Sequence, residues 1–489
     1  MHIKPLTLAL AGLTGSLALA ACNLDVPDLN NPGLDQLQTS PQRNDINTAA
    51  TGLLIGNRGG KANTVGLVNQ LGIIGREAYD FDPSDSRFVA ELLEGPLIKN
   101  SPFGGVFWAA NYANIKLGNI VLHALDKVAE DDAHVAAGTG LSVAQKNGIR
   151  GFVHTIQAHD LLVVVVTHDS TGAPIDVDRD PDADLAPFVS KTEVYKEVAR
   201  LLDSATGANE LGGGGAAFSF TLPAGYAGFN TPANFLKFNR ALRARVAIYL
   251  KDYPGALTAL AASFLDDDPA DLTMANFFSK GVFYSYSTTA GDATNGLTST
   301  VIYAHPKLTT DAQMQAADPT LLDARYVAKV TTAKALGNDP GNTKIDTALA
   351  SSIQFKLYTG PSDPVALIRN EELILLKAEA LWFKTPSDPV GAMTELNLVR
   401  QNSGKLAAVA AATSDTDFVD KLLYERRYSL LYEGGHRWID LRRFGRPLPK
   451  DAPNNSQNLH FPVPQAECDA RGGTEPACMI ASTDAGPAT

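Results

Sequence analysis

Four stretches of this chain place apolar residues at the three-and-four spacing that gives a helix one apolar face. They begin at Phe107 ("FWAANYANIKLGNIVLHALDKV"), Asn147 ("NGIRGFVHTIQAHDLL"), Ala233 ("ANFLKFNRALRARVAIYLKDYPGALTALAASFL") and Asn370 ("NEELILLKAEALWFKTPSDPVGAMTELNLVRQ"). The pattern predicts helices over about 105–130, 147–165, 233–265 and 370–402. The last two stretches each hold two helices, broken at Asp252-Tyr253-Pro254 and across Pro386 to Pro389, because proline cannot continue a helix. The β-branched run Val163 to Val166 leaves the end of the second helix open.

The two broken stretches share a plan: a small-residue helix ending in an aromatic, a proline-bearing turn, then Gly-Ala opening a second helix. Ala241, Ala244 and Ala247 permit close helix approach, and Tyr249 and Trp382 would fill gaps between neighbours. This is the unit of tetratricopeptide-type repeats. One such hairpin cannot bury its apolar face alone, so several must stack. Residues 211–230 and 277–305 have no helical period and are rich in Gly, Ser, Thr and aromatics, which predicts long loops or short strands. Residues 23 to about 50 are polar and rich in Asn, Pro and Asp, as suits an extended tether. The expected fold is therefore mostly α: a tetratricopeptide-like repeat stack whose long irregular loops and few short strands form a ligand face.

Composition narrows the function. The 489 residues are 45% hydrophobic and 19% charged, a globular balance. A formal net charge of −12 opposes binding to a phosphate backbone, which needs clustered cations. Lys4 followed by the uncharged run Leu6 to Ala21 has the layout of a secretory signal. Leu19-Ala20-Ala21-Cys22 resembles a bacterial lipobox, which implies cleavage after residue 21, a lipid on Cys22 and a tether over 22–50. The plainer reading is an ordinary cleaved signal in which Cys22 is incidental. Cys468 and Cys478 predict a short disulfide loop in an exported protein. A metal pair is the rival, although this spacing without a histidine pair matches no common zinc pattern.

"LLYERRYSLLYEGGHRWIDLRRFGR" (422–446), "FPVPQAECDA" (461–470), "LIRNEELILLKAEALW", "FNRALRARVAIYLKDYPGAL" and "CNLDVPDLNNP" together resemble the SusD/RagB family of surface lipoproteins. The resemblance runs from Cys22 to about Asp469 and implies a single SusD-like body over 51–489, with a C-terminal signature at 422–470. It implies an outer-membrane, lipid-anchored protein facing the cell exterior. Such a protein would bind an oligomeric nutrient, foremost an oligosaccharide, and deliver it to a SusC-like TonB-dependent transporter without catalysis. Physically, Glu425, Arg426, Arg427, Glu433, His436, Arg437, Asp440, Arg442 and Arg443 could form an active site. The preferred reading is an ion-pair lattice that ties the last helix to the stack, since such networks also concentrate charge. "EGG" is expected to end that helix, with Gly434 or Gly435 as a left-handed cap.

Other signals are weaker. His154 and His159 lie roughly 140° apart around a helix, off the i,i+4 spacing of zinc helices. Asp176, Asp178, Asp180, Asp182 and Asp184 alternate in "IDVDRDPDADL". Asp176, Asp178 and Asp180 could hold calcium, but a solvated acidic loop is the plainer reading. "GGGG" at 212–215 lacks the Gly-Lys-Ser/Thr of a phosphate loop. Paired carboxylates for a lipid-anchored glycoside hydrolase could be drawn from Asp80, Asp82 and Asp85, or from Asp266 to Asp268, but adjacency in sequence does not set their separation. A helical scaffold that binds only protein is the third reading. Trp108 and Trp382 are expected in the core. The aromatics expected at a ligand site are those in irregular segments: Tyr79, Phe81, Phe283, Tyr284 and Tyr286, with Tyr303 in reserve. The SusD resemblance implies a shallow aromatic arc built from such loops. The rival reading is that these rings cover core beneath the loops.

Overall fold

The computed structural model describes residues 33–180, 182–203, 206–337, 349–453 and 455–472. The expected signal peptide, the Cys22 anchor and Cys478 fall outside these residues, so the Cys468–Cys478 pairing remains an expectation of the sequence.

Helix formation starts earlier than the expected tether allows. α1 (Leu34–Thr39) and α2 (Arg43–Arg58) already bury Leu37, Ile46, Ala49 and Ala50. A reciprocal cap starts α2, in which Asp45 Oδ2 accepts from Gln42 N at 2.8 Å. The missed signal was this polar N-terminal turn, whose composition also suits a tether. α3 (Leu67–Ile74) leads into the short strand β1 (Ala78–Asp80), and α4 (Ala109–Lys127) and α5 (Val143–His168) follow.

α5 is the axis of the molecule. Ser142 and Gln145 form a capping box at its start, which satisfies two of the helix's first amides. Far from ending at the valines, the helix runs through them: Val163, Val164, Val165 and Val166 are 4%, 0%, 1% and 7% exposed. Burial on every side outweighs the small propensity cost of β-branching. Val143–Thr171 is long and apolar enough to cross a membrane, but 89% of its most apolar window is buried within the protein. Strands β2 (Ala173–Pro174) and β3 (Phe188–Val189) pair beyond it, followed by α6 (Lys191–Leu202) and α7 (Gly207–Gly212).

The two predicted hairpins are α8 (Pro232–Tyr249) with α9 (Tyr253–Ala261), and α10 (Asn370–Phe383) with α11 (Pro389–Asn402). Their common sequence plan has a common cause. Asp252 caps α9 by accepting from Gly255 N at 3.0 Å, and Asp388 caps α11 by accepting from Gly391 N at 2.9 Å. A Cβ at either glycine would lie 2.0 or 2.5 Å from the capping carboxylate, so a larger residue would require the aspartate to shift. Trp382 stacks on Phe418 at 4.3 Å, and Trp108 packs on Phe188 and His168. Both tryptophans are core.

Between the hairpins lie β4 (Gly281–Tyr284), β5 (Ile302–Ala304), β6 (Val330–Gly337), β7 (Ala350–Phe355) and β8 (Val365–Arg369). The pairs β1–β5, β4–β8 and β6–β7 are all antiparallel, and among the described residues no sheet exceeds two strands. α12 (Asp415–Ser429), α13 (His436–Arg443) and α14 (Gln465–Ala470) are the last helices among the described residues. α12 stops at Ser429, before "EGG". Gly435, at φ +79°, instead caps the start of α13, where a Cβ would meet Leu71 Cβ at 2.3 Å.

Candidate functional site

The C-terminal signature folds into a buried ion-pair lattice. Glu425 forms ion pairs with Arg325 and Arg400, each at 2.7 Å; Arg426 Nε donates to Asp440 at 2.6 Å, and Arg369 Nε to Glu433 at 2.7 Å. Arg245 holds Glu372 at 2.7 Å, and Arg443 joins Asp440 to Glu379. Adjacent Glu425 and Arg426 thus reach separate partners, as their helix positions require. His436 is pushed down to about 4, first by burial, with Glu372 opposing. An imidazole kept neutral among carboxylates already paired to arginine has no free base or acid beside it, so the lattice serves architecture. The exception is Glu77, 1% exposed with neither carboxylate oxygen in a side-chain hydrogen bond. Burial raises it to about 7.

Neither His154 nor His159 of α5 joins a metal-type ligand set. His154 Nδ1 pairs with Glu210 at 2.6 Å. His159 sits between Asn57 (2.9 Å) and the Tyr284 hydroxyl (3.3 Å). Next to it, Asp160 accepts from Asn57 and Asn114, each at 2.6 Å. Of the alternating acids, Asp176 pairs with Arg179 and Asp178 with His123, each at 2.8 Å, while Asp180 is exposed. Among the described residues no cluster of three or more His, Cys, Asp or Glu forms a metal cage.

The aromatic candidates fall into two groups. Pairing of β1 with β5 sets Tyr79 opposite Tyr303. The rings run from His305 to Tyr79 (4.7 Å), Phe81 (5.4 Å) and Tyr303 (5.8 Å). Asp451 roofs this run: its Oδ1 accepts from Tyr79 (2.6 Å) and His305 Nε2 (2.9 Å), and its other oxygen faces Arg76 Nε at 2.7 Å. Burial, and then the Asp451 charge, push the Tyr79 hydroxyl well up. For Asp451 burial pulls upward, yet His305, Tyr79 and Arg76 hold it below the usual carboxylate range. The second group hangs on β4, which bulges between Val282 and Phe283. Tyr284 turns inward to His159, and Tyr286 lies under Arg58 at 5.5 Å. Arg58 in turn pairs with Asp292 of the exposed 288–294 loop.

Tyr79, Phe81, Tyr284 and Tyr286 are 4%, 9%, 8% and 7% exposed, and Tyr303 is 6% exposed. As placed, none of these rings offers solvent a stacking face. In the structure four of the five expected ligand rings, and Tyr303, form a buried underlayer of the loop face. The reason is strand alternation: Val282, Tyr284 and Tyr286 are buried at every second position, and Phe283, one residue before Tyr284, is on the more open side. Phe283 is half-buried and is the one candidate whose ring remains partly open. The partners missed from sequence, His305, Arg76 and Asp451, carry no local signal; Asp451 lies 372 positions from Tyr79.

This C-terminal stretch, residues 353–475, is similar to the SusD family. No curated protein sequence matches the chain. Its fold is that of solved SusD structures. A SusD-like carbohydrate-binding protein from Bacteroides fragilis is 15% identical over 84% of this chain and 87% of its own, at TM-score 0.63. B. fragilis NanU is 16% identical over 90% and 97%, at TM-score 0.60. A laminarin-binding SusD-like protein is 16% identical over 88% and 98%, at TM-score 0.57.

Proposed function

We propose that this chain is a SusD-family lipid-anchored outer-membrane protein that binds an oligosaccharide at its loop face and passes it to a SusC-like TonB-dependent transporter. The observation that carries the reading is the family signature at 353–475, set in a fold shared with proteins described as carbohydrate-binding and laminarin-binding. The lipobox at Leu19–Cys22 supports the anchor, and an exterior position follows from the family resemblance. The tied-up carboxylates of the signature favour binding over hydrolysis. The proposed contact residues are Phe283 and the exposed 288–294 loop, with the Asp82–Arg87 turn by the other aromatic group as a second candidate. There an apolar ring can meet sugar C–H faces while carboxylates and Arg87 hold hydroxyls.

The test is affinity electrophoresis and calorimetry of the soluble mature chain against laminarin, starch and other polysaccharides. Product analysis runs alongside. Saturable binding without shortened chains, weakened by Phe283→Ala, supports the reading. Release of oligosaccharide products, or no binding to any polysaccharide, overturns it. For the transporter, purification from detergent-solubilised outer membrane is expected to bring down a large β-barrel; isolation of the chain alone would remove that part.

A further inference from the structure

The loop that follows β4 is firmly held at both ends and weakly held between them. At its entry, Ser285 Oγ accepts from Gly225 N at 2.7 Å. At its exit, Asn295 N and Nδ2 donate to Pro361 O and Asp363 O at 2.8 and 2.9 Å, and Gly296 N donates to Ala62 O at 2.7 Å. Ser287 N donates to Ala293 O at 3.0 Å and closes the base. The tip stands in the open: residues 288–294 are exposed, and a Cβ on Gly291, at φ +87°, would meet nothing within 4 Å. Among the described residues, the pair Arg58–Asp292 is the sole hydrogen bond or ion pair joining 288–292 to anything outside 287–293.

That pair sits over Tyr286. Arg58 ends α2; its Nη1 donates to Ser285 O at 2.5 Å, and its guanidinium lies 5.5 Å from the centre of the Tyr286 ring. The Tyr286 hydroxyl is sealed from solvent and has no hydrogen-bond partner. A hydroxyl desolvated without a partner counts against the closed arrangement, and the cost is recovered when water reaches it. The opposing latch is weak. The Arg58 and Asp292 side chains are 15% and 32% exposed, and an ion pair so open to water contributes little and is screened by salt. The other aromatic group is built differently: Asp451 and Arg76, 8% and 3% exposed, hold Tyr79 through a buried pair, which salt screens far less.

We propose that residues 288–292 and the Arg58 side chain form a lid over Tyr286, latched by one ion pair and opened by ionic strength. Opening presents the Tyr286 ring and its free hydroxyl at the loop face. That consequence for binding rests on the oligosaccharide reading; the lid does not, and its test uses no sugar. The experiment is hydroxyl-radical footprinting of the mature chain, read residue by residue by mass spectrometry, in about 20 mM and about 500 mM sodium chloride. Tyr286 is expected to label about two- to fivefold faster at the higher salt, the range a surface ion pair allows, while Tyr79 stays constant. Asp292→Asn, which keeps the loop and Arg58 but removes the charge, is expected to label at the faster rate in both salts. Asp292→Glu, which keeps the charge, is expected to follow the parent. Salt-independent labelling of Tyr286 in the parent, parent-like protection in Asp292→Asn, or a parallel rise at Tyr79 overturns the lid. A chain that binds no polysaccharide can still pass this test, and a failed lid leaves Phe283 as the contact ring.

Discussion

Phe283 and Tyr284 are neighbours in β4 and are predicted to respond oppositely to alanine. Tyr284 is 8% exposed and bonded to His159. Its side chain removes roughly 200 Å² from water, which at about 25 cal/mol/Å² is an upper bound near 5 kcal/mol. Loss of a buried aromatic costs about 3–5 kcal/mol once the cavity is included. Tyr284→Ala is therefore expected to lose about 3–5 kcal/mol of stability. Phe283, half-buried, is expected to lose only about 1–2 kcal/mol, while carrying the larger loss of oligosaccharide binding. Urea denaturation followed by tryptophan fluorescence measures the first quantity, and calorimetry with a bound oligosaccharide the second. A Tyr284→Ala protein as stable as the parent would refute the inward placement of the ring. Equal stability losses at the two positions would refute the alternation argument itself.

Four further outcomes are expected. A carboxyl raised on folding contributes stability that is complete below its ordinary value and lost as pH rises through its folded value. For Glu77 that window runs from about 4.5 to about 7. Glu77→Gln should thus gain on the parent between about pH 4.5 and pH 7 in paired urea titrations; a constant difference would sink the assignment. Arg325→Met strips a cation from buried Asp323 and Glu425 and should cost about 3–5 kcal/mol by calorimetric melting, whereas a melt unchanged from the parent would mean the lattice is slack. Cys22→Ser should move the protein out of the membrane fraction, and its retention there would point to another hold. Cys468 and Cys478 should resist thiol reagents in the folded exported protein until a reductant is added, and ready labelling of both would remove the disulfide.

What the sequence determined on its own is what a few adjacent residues can encode. The helical period, the proline-bearing turns that break both hairpins, and the arginine-carboxylate run of the signature are all local, and each is legible in the linear chain. Caps and amphipathic faces act within one or two turns, so their signals survive in the linear chain. The tertiary structure decided the rest. Val163 to Val166 are helical because they are enclosed on every side, a condition written in other segments. Residues 34–50 are packed rather than tethered because α1 and α2 find apolar neighbours in the stack. The inward turn of Tyr284 depends on pairing with β8, and the roof over Tyr79 on a carboxylate 372 positions away. A ring's exposure is a property of what packs against it, and in this chain those partners come from distant segments.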